Sequence, residues 1–131
     1  MISRELEKVD PNNTDWLRDL SLTSSLIGDV QLRLGNVQAS VKAYLEGLAV
    51  ANRLTSINPG NAEWQWDLYV NYWRLADTGQ DTASYFRKAL QVIEGMETKG
   101  QLSPARAVWV QNTRDRLVQA EAEMKGQAKA N

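Results

Sequence analysis

The sequence of 131 residues contains no cysteine and no histidine, and it has only one phenylalanine. Without cysteine, disulfides and thiolate metal sites are excluded. Without histidine, the commonest general base and the commonest nitrogen ligand for zinc are missing. There is also no glycine-rich phosphate loop and no serine in a nucleophile setting. We therefore expect a protein that is not an enzyme and that holds no cofactor and no metal.

The sequence also lacks long apolar runs and an excess of charge of one sign. No run approaches the roughly 20 apolar residues that span a bilayer, and no signal-peptide core follows Met1. The 15 basic and 16 acidic residues leave a net charge of −1. A balanced charge provides no attraction for nucleic acid or for an anionic membrane. We expect neither as a partner, and we expect a cytoplasmic location.

What the sequence does contain is a stretch that occurs twice. Residues 10–20 recur as residues 58–68, at a spacing of 48. The residues that match are Pro11, Asn13, Trp16, Asp19 and Leu20 in the first copy and Pro59, Asn61, Trp64, Asp67 and Leu68 in the second. Repetition at a fixed period is typical of a repeat array. Asp19 and Asp67 recur, and neither has a second acid or a base nearby in sequence that would suit catalysis. We therefore interpret them as structural residues that fix the turn between units by an ion pair or hydrogen bond.

Helix boundaries follow from the repeated stretch. Proline disfavours helical geometry in the residue before it, so Pro11 and Pro59 each end a helix. Asn13 and Asn61 are then N-caps, and Gly35 is placed for a left-handed turn after the first helix. The sequence predicts helices over residues 14–34, 37–57, 62–78, 82–98 and 103–125.

The helix over 14–34 has two apolar stripes. The first stripe contains Trp16, Leu20, Ser24, Ile27 and Leu34, and the second contains Leu22, Leu26 and Val30. Two stripes are typical of a helix that packs on two sides. We therefore expect this helix to pack on two sides inside a stack, with faces that a missing preceding repeat would cover exposed in this fragment.

The second unit is shorter than the first. Residues 85–92 match residues 43–50 at a spacing of 42, so six residues are lost around the second turn. Ser103 and Pro104 open a last helix as its N-cap and first residue. One weak apolar face, made by Trp109, Thr113, Leu117, Ala120 and Met124, is typical of a capping helix.

The same alignment divides the chain. Residues 2–9 match residues 50–57, which indicates the end of a preceding helix and a fragment of a longer protein. A short natural N-terminal helix that begins at Met1 is the alternative. We predict one domain over 1–125: a repeat tail (2–9), a first repeat (10–57), a shortened second repeat (58–102) and a capping helix (103–125), followed by a frayed tail (126–131).

Several residues of the first unit resemble the tetratricopeptide repeat (TPR) family. The matching residues are Ile27-Gly28, Gly35-Asn36-Val37, Ser40, Tyr44, Gly47 and Asn58-Pro59, and in the second unit Leu75-Ala76, Phe86, Ala89 and Leu90. The units of 48 and 42 residues exceed the family's usual length of roughly 34. The chain looks like a long-helix variant of a kind that occurs in large multidomain bacterial proteins. This resemblance implies an all-α fold of antiparallel helix pairs stacked as a short right-handed α-solenoid, with a partner bound along the first helices of the pairs.

Four aromatic residues interrupt the repeat. Trp66, Tyr69, Tyr72 and Trp73 replace the first unit's Arg18, Ser21, Ser24 and Ser25. They could pack against the C-terminal helix, on Trp109, or they could form a rigid patch of the sort enriched at interaction hot spots. The residues leave both interpretations open.

The TPR resemblance also suggests a groove between the first helices. It places Ser25, Asp29 and Arg33 beside Trp73, Arg74 and Asp77. Some family members clamp a peptide carboxylate with lysine and asparagine there, which this sequence does not match. Two aspartates and a tryptophan favour a basic or aromatic ligand. The candidate partner-binding residues are Ser25, Asp29, Arg33, Trp66, Tyr69, Trp73, Arg74 and Asp77.

Three functions remain open on this basis. The leading one is a module that binds a protein or peptide as a scaffold. The second is self-association, which could make the fragment a homodimer. The third is a sensor domain for a small molecule or signalling peptide, which predicts a closed aromatic pocket around Trp66, Tyr69 and Trp73.

Overall fold

A computed structural model describes residues 13–130 of the chain, and helices occupy most of this part. The helices are α1 Thr14–Arg33, α2 Val37–Ile57, α3 Ala62–Asp77, α4 Thr82–Thr98 and α5 Pro104–Ala130. The described part contains no strand, so the prediction of an all-α fold is confirmed. The predicted repeat tail over 2–9 lies outside the described residues. In the part that is described, no helix combines the length and the apolar character needed to cross a membrane.

The helices begin where the capping residues predict. The side-chain oxygens of Asn13 and Asn61 accept hydrogen bonds of 3.1 Å from the backbone N–H groups of Trp16 and Trp64. Such bonds satisfy backbone donors that have no partner in the first turn of a helix. Ser103 Oγ does the same for the N–H of Arg106, at 3.2 Å. The predicted N-caps are confirmed.

Short turns reverse the chain between the helices. Gly35 after α1 and Gly79 after α3 have φ values of 82° and 86°, a left-handed conformation that costs glycine little. Helices joined by such turns run antiparallel, and each helix packs against the next one in the chain. The second pair is shorter than the first, with 16 and 17 residues in α3 and α4 against 20 and 21 in α1 and α2. The glycine turns and the shorter second pair were both expected from the sequence.

Side-chain contacts also join alternate helices. Arg18 of α1 forms an ion pair with Asp67 of α3, and the hydroxyl of Tyr69 in α3 forms a hydrogen bond with that of Thr113 in α5. The first helices α1, α3 and α5 therefore lie side by side, and α2 and α4 pack behind them. This is the stack of helix pairs with a closing helix that the repeats predict.

Small residues bring α1 and α2 close together. Ser40 Oγ donates to the carbonyl of Gly28 at 2.8 Å, and Ser21 Oγ donates to the carbonyl of Gly47 at 3.0 Å. A Cβ atom on Gly28 would overlap the Tyr44 ring, and one on Gly47 would lie 3.1 Å from the Ser21 carbonyl oxygen. The glycines are needed because the backbones approach so closely.

α1 packs on two sides, against α2 and α3, but not through its two apolar stripes. Most of the large apolar side chains of the two stripes are exposed, with Leu26 61% and Val30 52% accessible. The face that packs on α2 and α3 is made mainly of small residues, and its buried members are Leu17, Ser21, Ser24, Ser25 and Gly28. Small side chains let the neighbouring helices approach, and hydrogen bonds compensate for burying the serine hydroxyls. The larger apolar residues therefore face outward.

The last helix is longer than predicted. It extends from Pro104 to Ala130, so the segment after 125 that was expected to fray is helical as far as Ala130. Alanine, lysine and glutamine favour helix, and Gly126 opposes it by only about 1 kcal/mol. A single glycine is too weak to end the helix.

Candidate partner-binding face

The eight candidate residues lie on α1 and α3, and all except Arg33 take part in one of two different interfaces. α1 meets α3 through polar groups, whereas α3 meets α5 mainly through aromatic rings. At the first interface, Ser25 Oγ donates to Asn71 Oδ1 at 2.8 Å, and both residues are buried. Arg18 Nε donates to Asp67 Oδ2 at 2.9 Å, so the partner of the recurring Asp67 is a residue of the neighbouring first helix. The Ser25–Asn71 hydrogen bond and the Arg18–Asp67 ion pair thus hold α1 and α3 together.

Asp29 is also engaged between α1 and α3. It accepts a hydrogen bond from the Tyr44 hydroxyl and forms an ion pair of 3.3 Å with Arg74 Nε. Burial, followed by the hydrogen bond to Asp29, raises the pKa of Tyr44 to about 12. Asp29 and Arg74 therefore pair with each other across the interface.

The same ion pair recurs one unit later. Asp77 pairs with Arg116 Nη2 of α5 at 3.1 Å. Asp77 lies 48 residues after Asp29, and Arg116 lies 42 residues after Arg74, which are the two spacings of the repeat. Both aspartates that the sequence suggested for a basic ligand are thus already paired within the chain.

The aromatic residues of α3 pack against α4 and α5. Trp66 and Trp73 flank Tyr69, with ring centroids 4.9 and 6.1 Å from it. Trp73 makes edge-to-face contacts with Phe86 at 5.0 Å and with Trp109 at 5.5 Å. The interpretation that these rings pack on the C-terminal helix and on Trp109 is confirmed.

Tyr69 belongs to the core of this interface. It is 2% exposed, and its hydroxyl lies 2.7 Å from Thr113 Oγ1. Burial raises its pKa above the usual value. The buried residues that cluster with its ring are Ala89, Ile93 and Val110. Tyr69 therefore presents little surface to a partner while α5 is in place.

Two arginines of α5 lie over the tryptophan rings. The Arg106 guanidinium lies 4.5 Å from the Trp66 ring centroid, and that of Arg116 lies 5.3 Å from the Trp73 centroid. Arg106 also pairs with Glu63 at 2.9 Å, a hydrogen bond that lowers the pKa of this carboxyl. These cation–π contacts attach α5 more firmly to α3.

Two adjoining clefts remain open on the face formed by α1, α3 and α5, which we term the first-helix face. A cleft of about 190 Å³ lies between α1 and α3, and one of about 150 Å³ lies between α3 and α5. Trp66 and Val70 line both clefts, while Leu22 lines only the first and Trp109 only the second. Trp66 and Val70 therefore stand where the two clefts meet.

The sequence reasoning missed Leu22, Val70 and Trp109 as lining residues. The first two could have been found, because Leu22 and Val70 are separated by the repeat spacing of 48 and are both apolar. Of the eight candidates, Trp66, Tyr69 and Trp73 line the second cleft, and Ser25, Trp66 and Arg74 line the first. Arg33 and Asp77 are exposed and line neither cleft.

No protein-family model, no curated protein and no solved structure matches this chain. The function must therefore be inferred from the chain's own residues. The resemblance to TPR proteins stays a prediction that depends on the repeated residues of the sequence.

Proposed function

We propose that this chain is a non-catalytic, TPR-like module that binds a protein or peptide along its first-helix face. The observation that carries the proposal is the pair of adjoining clefts, which cross α1, α3 and α5 and meet at Trp66 and Val70. A protein surface with partly buried tryptophan and valine at its centre is suited to an apolar anchor side chain.

The size of the second cleft favours a peptide over a small molecule. It holds about 150 Å³, whereas pockets for drug-sized ligands hold about 300–1,000 Å³. Its space suits one aliphatic or aromatic side chain. The aromatic rings that a sensor domain would use to enclose a ligand are instead packed on α5, as Tyr69 and Trp73 show.

Paired charges around the clefts favour the same kind of ligand. Arg74 is engaged by Asp29, and Arg106 by Glu63. Most of the attraction must then come from burial of apolar surface, with polar groups of the partner's backbone bound at the rim. We propose that the ligand is a peptide or helix of a partner protein, with one aromatic or aliphatic anchor side chain. We also propose that this chain is part of a larger, multidomain bacterial protein.

A selection of displayed random peptides on the immobilised chain tests the proposal. We expect the bound peptides to share an apolar anchor and to lose at least about tenfold in affinity, or 1.4 kcal/mol, on the Val70→Asp variant. The control is Leu45→Asp, which places the same charge at an exposed aliphatic residue of α2 that lines neither cleft. Val70→Thr keeps the shape of the side chain and should cause a smaller loss.

The opposite result would contradict the proposal. Peptides that bind Val70→Asp and the unchanged chain equally well would place the binding surface elsewhere. Thermal unfolding by circular dichroism checks that Val70→Asp and Leu45→Asp both remain folded, so that a loss of affinity reports on the clefts.

A further inference from the structure

The outward side of α1 carries a row of five residues at steps of three and four. Asp19, Leu22, Leu26, Val30 and Arg33 therefore lie on one face of the helix, and all five are exposed. We term them the outer row. Leu26 is 61% and Val30 52% accessible, which is high for large apolar side chains that stand next to each other.

The second repeat shows what kind of surface this is. Asp67 and Arg74 of α3 lie 48 residues after Asp19 and Leu26. In α3, both of these residues contact α1, through Arg18 and through Asp29. Asp19 and Leu26 of the outer row thus correspond to α3 residues that pack against a helix, while Val70, the counterpart of Leu22, lines the open clefts. The occupant that fits the outer row is a helix as well.

The charges of the row identify that helix. The row is symmetric about Leu26, since Leu22 and Val30 each lie four residues from it, and Asp19 and Arg33 each lie seven residues from it. One end of the row is acidic and the other basic. A second α1 that runs antiparallel would place each Asp19 opposite an Arg33, while a parallel one would oppose like charges.

We propose that the outer row is the interface of an antiparallel homodimer, in which α1 packs against α1 of a second copy. Leu26 meets its own counterpart at the two-fold axis, and Leu22 meets Val30 of the second copy. Contact of one patch with itself is what two-fold symmetry requires. Apolar burial drives the association, and the charge pairs at both ends set its direction because exposed ion pairs alone add little affinity.

The proposed dimer and the proposed peptide site use largely different residues. The outer row lies on α1, whereas Trp66, Val70 and Trp109 line the clefts on α3 and α5. Only Leu22 belongs to both surfaces. The Val70→Asp variant should therefore still dimerise, which separates a failure of one proposal from a failure of the other.

Cysteine cross-linking tests the geometry, because the chain has no cysteine of its own. Leu26→Cys should form a disulfide-linked dimer on mild oxidation. Leu22→Cys alone should cross-link poorly, since its two copies lie about 12 Å apart along the helix axes. A mixture of Leu22→Cys and Val30→Cys should give the mixed dimer. The control is Val118→Cys, on an exposed position of α5, which should stay monomeric.

Sedimentation velocity over a range of concentrations tests the energetics. The unchanged chain should shift from monomer to dimer, and Leu26→Glu should stay monomeric at all concentrations. Asp19→Arg and Arg33→Asp should each weaken the dimer at least fivefold, and the double variant should restore it. Thermal unfolding verifies that these exposed substitutions leave the fold intact.

Two results would overturn the proposal. One is a chain that stays monomeric at every concentration, with Leu26→Cys cross-linking no more than Val118→Cys; the outer row would then serve another occupant, such as a preceding helix pair. The other is a dimer in which Leu22→Cys cross-links with itself as readily as Leu26→Cys, which would indicate parallel helices.

Discussion

Gly28 controls the distance between α1 and α2. Its hydrogen atom faces the Tyr44 ring, and its carbonyl accepts the Ser40 hydroxyl. No larger residue fits there unless the ring moves. Tyr44 is in turn held by Asp29, which also pairs with Arg74. A few side chains around one glycine therefore join α1, α2 and α3.

We predict opposite effects for alanine at two glycines. Gly28→Ala should destabilise the protein by about 1–2 kcal/mol, because a steric cost of about 1–3 kcal/mol exceeds the gain in helix propensity of about 1 kcal/mol. Gly95→Ala should stabilise it by about 0.5–1 kcal/mol, since a Cβ atom on this α4 residue meets nothing within 4 Å. Urea unfolding measures both. Stabilisation by both alanines would show that the Tyr44 ring yields easily.

Tyr44 should make stability depend on pH in the alkaline range. Its pKa is raised from 10.0 to about 12 in the folded chain, so folding favours the protonated phenol. The corresponding stability is fully present below pH 10 and is lost as the pH rises through about 12. Two pKa units correspond to about 2–3 kcal/mol.

The matched variant for this prediction is Tyr44→Phe. Urea unfolding between pH 9 and about 12 should show a smaller fall in stability for the variant than for the unchanged chain. A remaining fall is expected from Tyr69, whose pKa is also raised by burial. Parallel curves for the two proteins would mean that Tyr44 ionises as freely in the folded chain as in the unfolded one.

At the scale of elements, α3 is the helix on which the others converge. Its polar side faces α1 through Asp67, Asn71 and Arg74. Its aromatic side faces α4 and α5 through Tyr69 and Trp73. The residues of α1 that face α3 are replaced in α3 by aromatic residues that face α5, so the aromatic replacements follow the change of neighbour.

We predict that α5 depends on Trp73 more than on Trp109. Trp73 contacts Phe86, Trp109 and the Arg116 guanidinium, so Trp73→Ala should cost about 3 kcal/mol or more. Trp109→Ala should cost about half as much, because this side chain is 41% exposed. Urea unfolding measures the loss of stability in both variants. In the Trp73→Ala variant, hydrogen exchange should show that the amides of α5 lose protection first. Equal costs would mean that the contact between the two rings outweighs burial.

At the scale of the whole molecule, the described helices form a stack that differs at its two ends. α5 covers the aromatic side of α3 at one end, and its own last turns are exposed. At the other end, α1 leaves a row of apolar residues uncovered in the described part of the chain. Between the ends lies the first-helix face with its two clefts. The proposed peptide site and the proposed dimer thus use neighbouring parts of one layer of helices and share Leu22.

The sequence by itself determined the helices and their order. Prolines, capping asparagines and left-handed glycines act within a few residues, so Asn13, Asn61 and Gly35 could be assigned from the chain alone. The repeat spacing also predicted the shorter second pair. The end of α5 was misjudged, because Gly126 costs less than the surrounding helix formers contribute.

Only the tertiary structure decided which faces are buried and which candidates are accessible. Serine and leucine both fit a helix, and burial of Ser21, Ser25 and Asn71 depends on hydrogen bonds to other helices that no local pattern reveals. The apolar stripes of α1 predicted which residues make its packed sides, yet the close approach of α2 favoured the small residues there instead. Side-chain burial depends on partners that are distant in sequence, and those partners exist only once the helices have packed.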